Sequence, residues 1–207
     1  MPFPIAVMLS GGGTTLQNLI DRIADGSLPV RIVQVIASRA GVAGIDRAKK
    51  AGLQVEVVVR KNFPSLEAFS ERNFDLARQS GAKLVCLAGY LQLLHIPPDF
   101  LLKVVNVHPS LLPAFGGKGM FGHHVHEAVL AYGAKMSGCT VHFADNEFDH
   151  GPVIAQQAVE VLANDTADTL AARVFAAECA SYPAAIKVLA EGRVVVEGRR
   201  VRAREAV

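Results

Sequence analysis

Two spacings of hydrophobic residues alternate along this chain. Short apolar runs such as residues 5–9 and 30–38 alternate with segments whose apolar residues recur at helical spacing, such as Thr14 to Asp25. Buried strands joined by helices of this length are typical of a parallel sheet with right-handed crossovers. The same pattern predicts further strands at residues 53–59, 83–89 and 104–108, helices at 44–52 and 65–82, and a short helical turn from Pro98 to Lys103.

The second half of the chain has a different pattern. The predicted elements are a glycine-rich loop at 113–124, a helix near His126 to Tyr132, strands at 138–144 and 152–161, a long alanine-rich helix, and a hairpin at 193–203 that turns at Glu197-Gly198. We therefore predict an α/β fold with a doubly wound, mostly parallel sheet, helices on both faces and a C-terminal hairpin. Nothing in the composition marks a linker, so we expect one domain over residues 1–207, with functional halves at about 1–100 and 101–207.

Composition narrows the class of protein. Hydrophobic residues make up 51% of the chain and charged residues 19%, which is ordinary for a globular protein. A net charge of +2 predicts no nucleic-acid partner, and the absence of any apolar run of roughly 20 residues predicts no membrane span. Cys86, Cys139 and Cys179 are widely spaced, which argues against a disulfide framework and favours a cytoplasmic location.

A glycine-rich turn joins the first strand to the first helix. Gly11, Gly12 and Gly13 stand at the helix N-terminus, where unpaired N–H groups and the helix dipole favour an anion. Thr14 and Thr15 add hydroxyl donors, so a phosphate monoester is the preferred ligand. We call residues 11–15 the phosphate turn.

Two nucleotide-binding patterns also begin with a glycine-rich turn of this kind. The Walker pattern fails, because no Gly-Lys-Ser/Thr follows. The dinucleotide pattern lacks its third glycine, since Leu16 stands there, although Arg39 could meet a 2′-phosphate. A glycine-rich turn without any ligand is the remaining alternative.

A polar pair ends the strand at 104–108. Asn106 and His108 are two residues apart, so both side chains project from the same face, at the carboxyl edge where α/β folds bind ligands. An amide donor beside an imidazole suits stabilisation of an oxyanion and movement of a proton. A simple hydrogen-bonded strand end is the alternative.

Three acids occupy the loop between the two later strands. Asp145, Glu147 or Asp149 could orient His108 and stabilise its protonated form. The residue pattern does not choose among the three, and acidic loops are common for solubility.

Four segments together carry a resemblance to a known family. The segments "SGGGTTLQ", "NVHPSLLP" with "GCTVHF", and "DHGPVIAQ" resemble the folate-dependent phosphoribosylglycinamide formyltransferases over nearly the whole chain. The resemblance implies a formyltransferase-like fold and transfer of a formyl group from 10-formyltetrahydrofolate to the amino group of glycinamide ribonucleotide, a step of de novo purine biosynthesis. It implies these two small-molecule substrates and no metal.

The resemblance also assigns site residues. The implied catalytic residues are Asn106, His108 and Asp149. The implied substrate-binding residues are Gly11, Gly12, Gly13, Thr14, Thr15, Pro109 and Glu178. The implied folate-binding residues are Leu91, Gln92, Leu93 and Leu94, which we call the pterin loop, together with Asn106.

This chain departs from the family pattern in places. Leu66 stands where a basic folate contact is common, and Arg60 or Lys61 is a candidate replacement. Phe175 replaces a polar residue, and the loop at 116–122 is longer than in relatives and is expected to cover the substrate.

Alternative functions remain to be separated. A formyl-folate hydrolase or a formylase of another amine, such as initiator methionyl-tRNA, shares the Asn-x-His block, but those enzymes carry additional domains that we do not expect here. A non-catalytic phosphate-binding module is the third alternative.

Three neighbouring histidines, His123, His124 and His126, resemble a metal cluster but lack a completing ligand. The sequence does not decide whether the protein forms a homodimer.

Overall fold

The computed structural model describes residues 1–204, which contain nine strands and five α-helices. The strands are β1 (Phe3–Leu9), β2 (Val30–Ala37), β3 (Val55–Val57), β4 (Leu84–Leu87), β5 (Val104–His108), β6 (Met136–Phe143), β7 (Val153–Glu160), β8 (Val194–Glu197) and β9 (Arg200–Ala203). The helices are α1 (Thr14–Ala24), α2 (Ala43–Lys50), α3 (Leu66–Gln79), α4 (His123–Tyr132) and α5 (Ala167–Ala190). Residues 205–207 of the predicted domain lie outside the described residues.

Strands β1 to β7 form one mostly parallel sheet in the order β3-β2-β1-β4-β5-β6-β7, which confirms the predicted fold class. The chain also divides into two compact units, Met1–Asn106 and a second that begins at Val107. In the first unit, β1 pairs in parallel with both β2 and β4. Strand order therefore reverses beside β1, and such switch points are where open α/β sheets bind ligands.

The second unit contains an antiparallel pair and the C-terminal hairpin. Strand β6 pairs antiparallel with β7, and α5 packs against both strands. The predicted hairpin is present as β8 and β9, but the predicted position of its turn is wrong by one residue. Glu197 pairs with Arg200, so the loop residues are Gly198 and Arg199, with glycine first as a two-residue hairpin loop favours.

Several other predicted boundaries also differ from the structure. Helix α4 begins at His123 rather than near His126, because His123 and His124 are exposed helical residues that apolar periodicity does not detect. Strand β3 is only Val55–Val57, with an exposed edge. The predicted turn of helix at Pro98 is a 3₁₀ helix of three residues.

Candidate active site

The phosphate turn has the backbone that an anion site requires. Gly13 is the N-cap of α1 with φ +72°, and as a glycine it has no side chain that could cap the helix. The first N–H groups of α1 therefore receive no acceptor from the N-cap side chain, and such groups favour an anion. A Cβ on Gly13 would lie 2.6 Å from Gly44 Cα, so both the left-handed backbone and the close approach require glycine here.

Helix α2 supports the turn from behind. The N–H of Gly44 donates to the carbonyl of Gly11 at 3.1 Å, and Arg47 Nε donates to the carbonyl of Gly12 at 2.9 Å. Two carbonyls of the turn thus point at donors of α2 rather than toward an incoming anion. Arg47 is a supporting residue that the sequence pattern does not reveal, because a helix carries many exposed basic residues and this one looks no different.

Ser10 links the phosphate turn to the pterin loop. Its buried hydroxyl accepts hydrogen bonds from the Leu91 N–H at 2.8 Å and from the Ser38 hydroxyl at 2.6 Å. At the other end of the loop, the His95 N–H donates to the Ser70 hydroxyl at 2.8 Å. The pterin loop is therefore anchored at both ends before any ligand binds.

The structure places the members of the pterin loop at a surface that is partly accessible. Leu91, Gln92 and Leu93 are half-buried, and Leu94 is buried.

Leu66, which stands where a basic folate contact was expected, is the first residue of α3. The guanidinium of Arg60, the candidate replacement for a basic residue at position 66, lies 5.8 Å from the centre of the Phe69 ring and donates to the Phe63 carbonyl.

Strand β5 presents the predicted amide and imidazole. Asn106 is half-buried, and His108 is the last residue of the strand with only 3% of its surface exposed. The alternating Val105 and Val107 are buried, as expected if they occupy the opposite face. Pro109 follows and is half-buried.

The structure distinguishes among the three acids of the loop. Asp149 Oδ1 lies 3.4 Å from His108 Nδ1, and the two side chains are 10% and 4% exposed. Asp145 instead pairs with His150 at 2.7 Å, and Glu147 is exposed. Asp149 reaches inward from a left-handed backbone conformation, φ +54°, which short polar residues tolerate better than most.

Further contacts hold the Asp149 carboxylate. Its Oδ2 accepts the Gly117 N–H at 2.9 Å, and its Oδ1 lies 3.7 Å from His142 Nε2. Burial acts to raise the pKa of Asp149, but the hydrogen bond from His142, the charge of His108 and the Gly117 amide keep that pKa below its ordinary value. Asp149 is therefore ionised at neutral pH. His142 thus supports a site residue as well as filling the core.

Both ring nitrogens of His108 face acceptor oxygens. Nδ1 faces Asp149, and Nε2 lies 2.9 Å from the carbonyl of Phe115. A neutral imidazole donates from one nitrogen only, so the protonated ring is the form that satisfies both contacts. Burial nevertheless lowers the pKa of His108 below its ordinary value, against the raising effects of Asp149 and the Phe115 carbonyl. The expectation that a carboxylate keeps His108 charged thus omits the larger effect of burial.

His123, His124 and His126 lie in different surroundings. His123 pairs with Asp168 at 2.7 Å, and His124 is exposed beside Glu127. His126 is buried, and its Nδ1 has no hydrogen-bond partner among residues 1–204. Within those residues, no group of three or more potential ligands is arranged to hold a metal ion.

Glu178 of α5 is a half-buried acid whose pKa burial raises to about 7. An unfolded glutamate titrates near 4.5, so between these values the folded state holds a proton that the unfolded state has lost, and stability falls as pH rises. Glu178→Gln should therefore raise the melting temperature relative to wild type at about pH 8 but not below about pH 4. Thermal unfolding across pH, with exposed Glu127→Gln as the control, tests this; a pH-independent difference would contradict it.

Comparison with known proteins identifies relatives over most of the chain. The formyl transferase family profile matches residues 4–186. The chloroplastic phosphoribosylglycinamide formyltransferase of Arabidopsis thaliana is 38% identical over 193 residues, which are 92% of this chain and 66% of that protein. The trifunctional purine biosynthetic protein adenosine-3 of Bos taurus is 40% identical over 192 residues, and this chain spans only 18% of its length.

A solved structure shows that the similarity includes the fold. Glycinamide ribonucleotide transformylase 1 from Symbiobacterium toebii superposes with a TM-score of 0.91 and 40% identity, covering 99% of this chain and 95% of that chain. No helix in the described part of the chain is long and apolar enough to span a membrane. On the family profile and this fold, the chain belongs to the formyl transferase family.

Proposed function

We propose that this protein transfers the formyl group of 10-formyltetrahydrofolate to the amino group of glycinamide ribonucleotide in de novo purine biosynthesis. The observation that carries the proposal is the buried His108–Asp149 pair at the end of β5, at 3.4 Å, in a chain whose relatives bear this activity in their names. The segments that resemble the family supply a candidate group for each remaining part of the reaction.

The chemistry needs three things from the protein. The neutral substrate amine attacks the formyl carbon, and the carbonyl oxygen becomes negative as a tetrahedral centre forms. The C–N bond to the folate nitrogen then breaks, and that nitrogen takes up a proton while the attacking amine loses one. A donor for the oxyanion, a proton carrier and a charge that stabilises the carrier therefore suffice.

His108 carries the proton that passes from the attacking amine to the folate nitrogen, and together with the Asn106 amide it donates to the oxyanion. Because Asp149 faces Nδ1, Nε2 is the nitrogen left to act on the substrate, in the manner of other carboxylate–imidazole pairs. During the reaction, the Nε2–H group gives up its contact with the Phe115 carbonyl and donates to the oxygen of the tetrahedral centre instead. Asp149 stabilises the imidazolium and helps relay the proton of the attacking amine through water to the folate nitrogen.

The binding roles follow the predicted groups. The phosphate turn, Gly11 to Thr15, holds the 5′-phosphate of the substrate, and Pro109 and Glu178 contact the rest of that molecule. Leu91 to Leu94, with Asn106, hold the pterin of the folate. Binding energy from the phosphate, remote from the reacting atoms, positions the amine for attack. The cysteines form no disulfide in the described chain, which favours the cytoplasm as the location.

One assay separates the candidate activities. The protein is mixed with 10-formyltetrahydrofolate, with and without glycinamide ribonucleotide, and the folate absorbance is followed. Turnover that requires the ribonucleotide is the expected result. Equal turnover without it would identify a formyl-folate hydrolase, and no turnover in either arm would leave a phosphate-binding module.

A further inference from the structure

Arg199, in the turn of the C-terminal hairpin, reaches the loop that carries Asp149. Its guanidinium donates to the backbone carbonyl of His150, and its second terminal nitrogen lies 3.5 Å from His150 Nε2. His150 is the residue directly after Asp149. The hairpin therefore contacts the backbone of the loop one residue away from the proposed partner of His108.

Further polar contacts connect His150 to the other end of the loop. His150 Nδ1 lies 2.7 Å from Asp145 Oδ2, and Asp145 Oδ1 accepts the N–H of Glu147 at 3.0 Å. Arg199, His150 and Asp145 thus form a line of polar contacts that spans residues 145–150. We call this line the loop clamp.

The backbone directly after His150 packs closely against the end of β6. A Cβ on Gly151 would collide with the carbonyl oxygen of Phe143, so the chain passes too close to the end of β6 for any other residue. Asp149 itself has φ +54°, a conformation that must be maintained by its surroundings. The loop clamp, which spans residues 145–150, and the close approach at Gly151 supply that constraint.

We propose that Arg199 is a positioning residue that holds Asp149 within reach of His108 through the carbonyl of His150. The inference rests on the proposed role of Asp149, and its primary test does not depend on turnover. The contacts of Arg199, Asp145 and His150 are largely exposed, and such surface contacts contribute little to global stability. Their effect is on geometry, and a displacement of about 1 Å near reacting groups can cost up to about 10²-fold in rate.

The primary test measures the pKa of His108 by NMR titration of its ring in the free protein. Because the Asp149 carboxylate raises this pKa, Asp149→Asn marks the full loss of the interaction. Arg199→Ala should lower the pKa of His108 in the same direction by a smaller amount, about 0.5 unit. Arg202→Ala is the matched control, since Arg202 lies in the same hairpin and pairs with Glu197.

Equal His108 pKa values in Arg199→Ala and Arg202→Ala would overturn the proposal, whether or not the protein transfers formyl groups. A kinetic arm follows if the ribonucleotide-dependent assay is positive. Arg199→Ala should lower kcat about tenfold with little change in either KM, and Arg199→Lys, which can still donate to the carbonyl, should recover part of the loss. Unchanged kcat in Arg199→Ala would also count against it.

Discussion

Replacement of His108 by alanine is expected to lower kcat for formyl transfer by about 10³-fold, the largest effect of any single substitution considered for this protein. The change removes one of the two proposed oxyanion donors and the proposed proton carrier together. It also leaves the Asp149 carboxylate, which is only 10% exposed, without its imidazole partner. Steady-state kinetics with both substrates saturating measures the loss.

Two controls make this result interpretable. His124→Ala removes a histidine that is 64% exposed and should leave kcat unchanged. Circular dichroism and the melting temperature show whether the His108 variant is folded, since a buried side chain has been truncated. A folded His108→Ala protein with kcat within a few-fold of wild type would reject the proposed mechanism.

Asp149→Asn is expected to lower kcat about 10²-fold, the second largest effect. Asparagine tolerates the left-handed backbone at this position, and its amide oxygen can still accept the Gly117 N–H. The substitution therefore removes the charge with little change of shape. Without the carboxylate the protonated imidazole loses the charge that stabilises it.

The pH dependence of Asp149→Asn has a definite sign. Asp149 raises the pKa of His108, so its loss moves that pKa to a lower value. The limb of the rate profile that reports protonated His108 should move to lower pH, and the deficit should be larger at pH 8 than at pH 6. Asp145→Asn, which changes the exposed acid of the same loop, should cause a much smaller loss. Equal losses in the two variants would contradict the assignment of Asp149.

Much of the fold follows from local pattern. The alternation of apolar runs and amphipathic segments predicts the parallel strands β1 to β5 and the helices between them, because buried parallel strands are apolar throughout. The period of two along β5 predicts that Asn106 and His108 share a face. The predicted position of the hairpin turn is wrong by one residue, and the predicted start of α4 is wrong by three. The ends of elements depend on caps and pairing rather than on apolar spacing.

The choice among Asp145, Glu147 and Asp149 could not be made from residue type. It depends on φ at Asp149 and on the approach of the Gly117 amide, both of which are properties of the folded backbone. The Phe115 carbonyl opposite His108 Nε2 is likewise invisible in a sequence, because every residue has a carbonyl. Burial of His108 and its lowering effect on the pKa also required the fold.

Supporting residues also escape prediction from the sequence. Ser10 precedes the three glycines and could have been suspected as a buried hydroxyl at a strand end, but its bond to Leu91 joins positions 81 residues apart. The Arg199 contact joins positions 49 residues apart and depends on the hairpin docking beside the loop. Long-range polar contacts of this kind have no periodic signature.

The central claim is that Asp149 acts through His108, and a double-variant cycle tests it most directly. The kcat values of wild type, His108→Ala, Asp149→Ala and the double variant are measured at one pH with saturating substrates. If the two side chains work as one unit, the double variant should be about as slow as His108→Ala, because the second substitution removes nothing further. Losses that multiply in the double variant would show that the two residues act independently and would contradict the account.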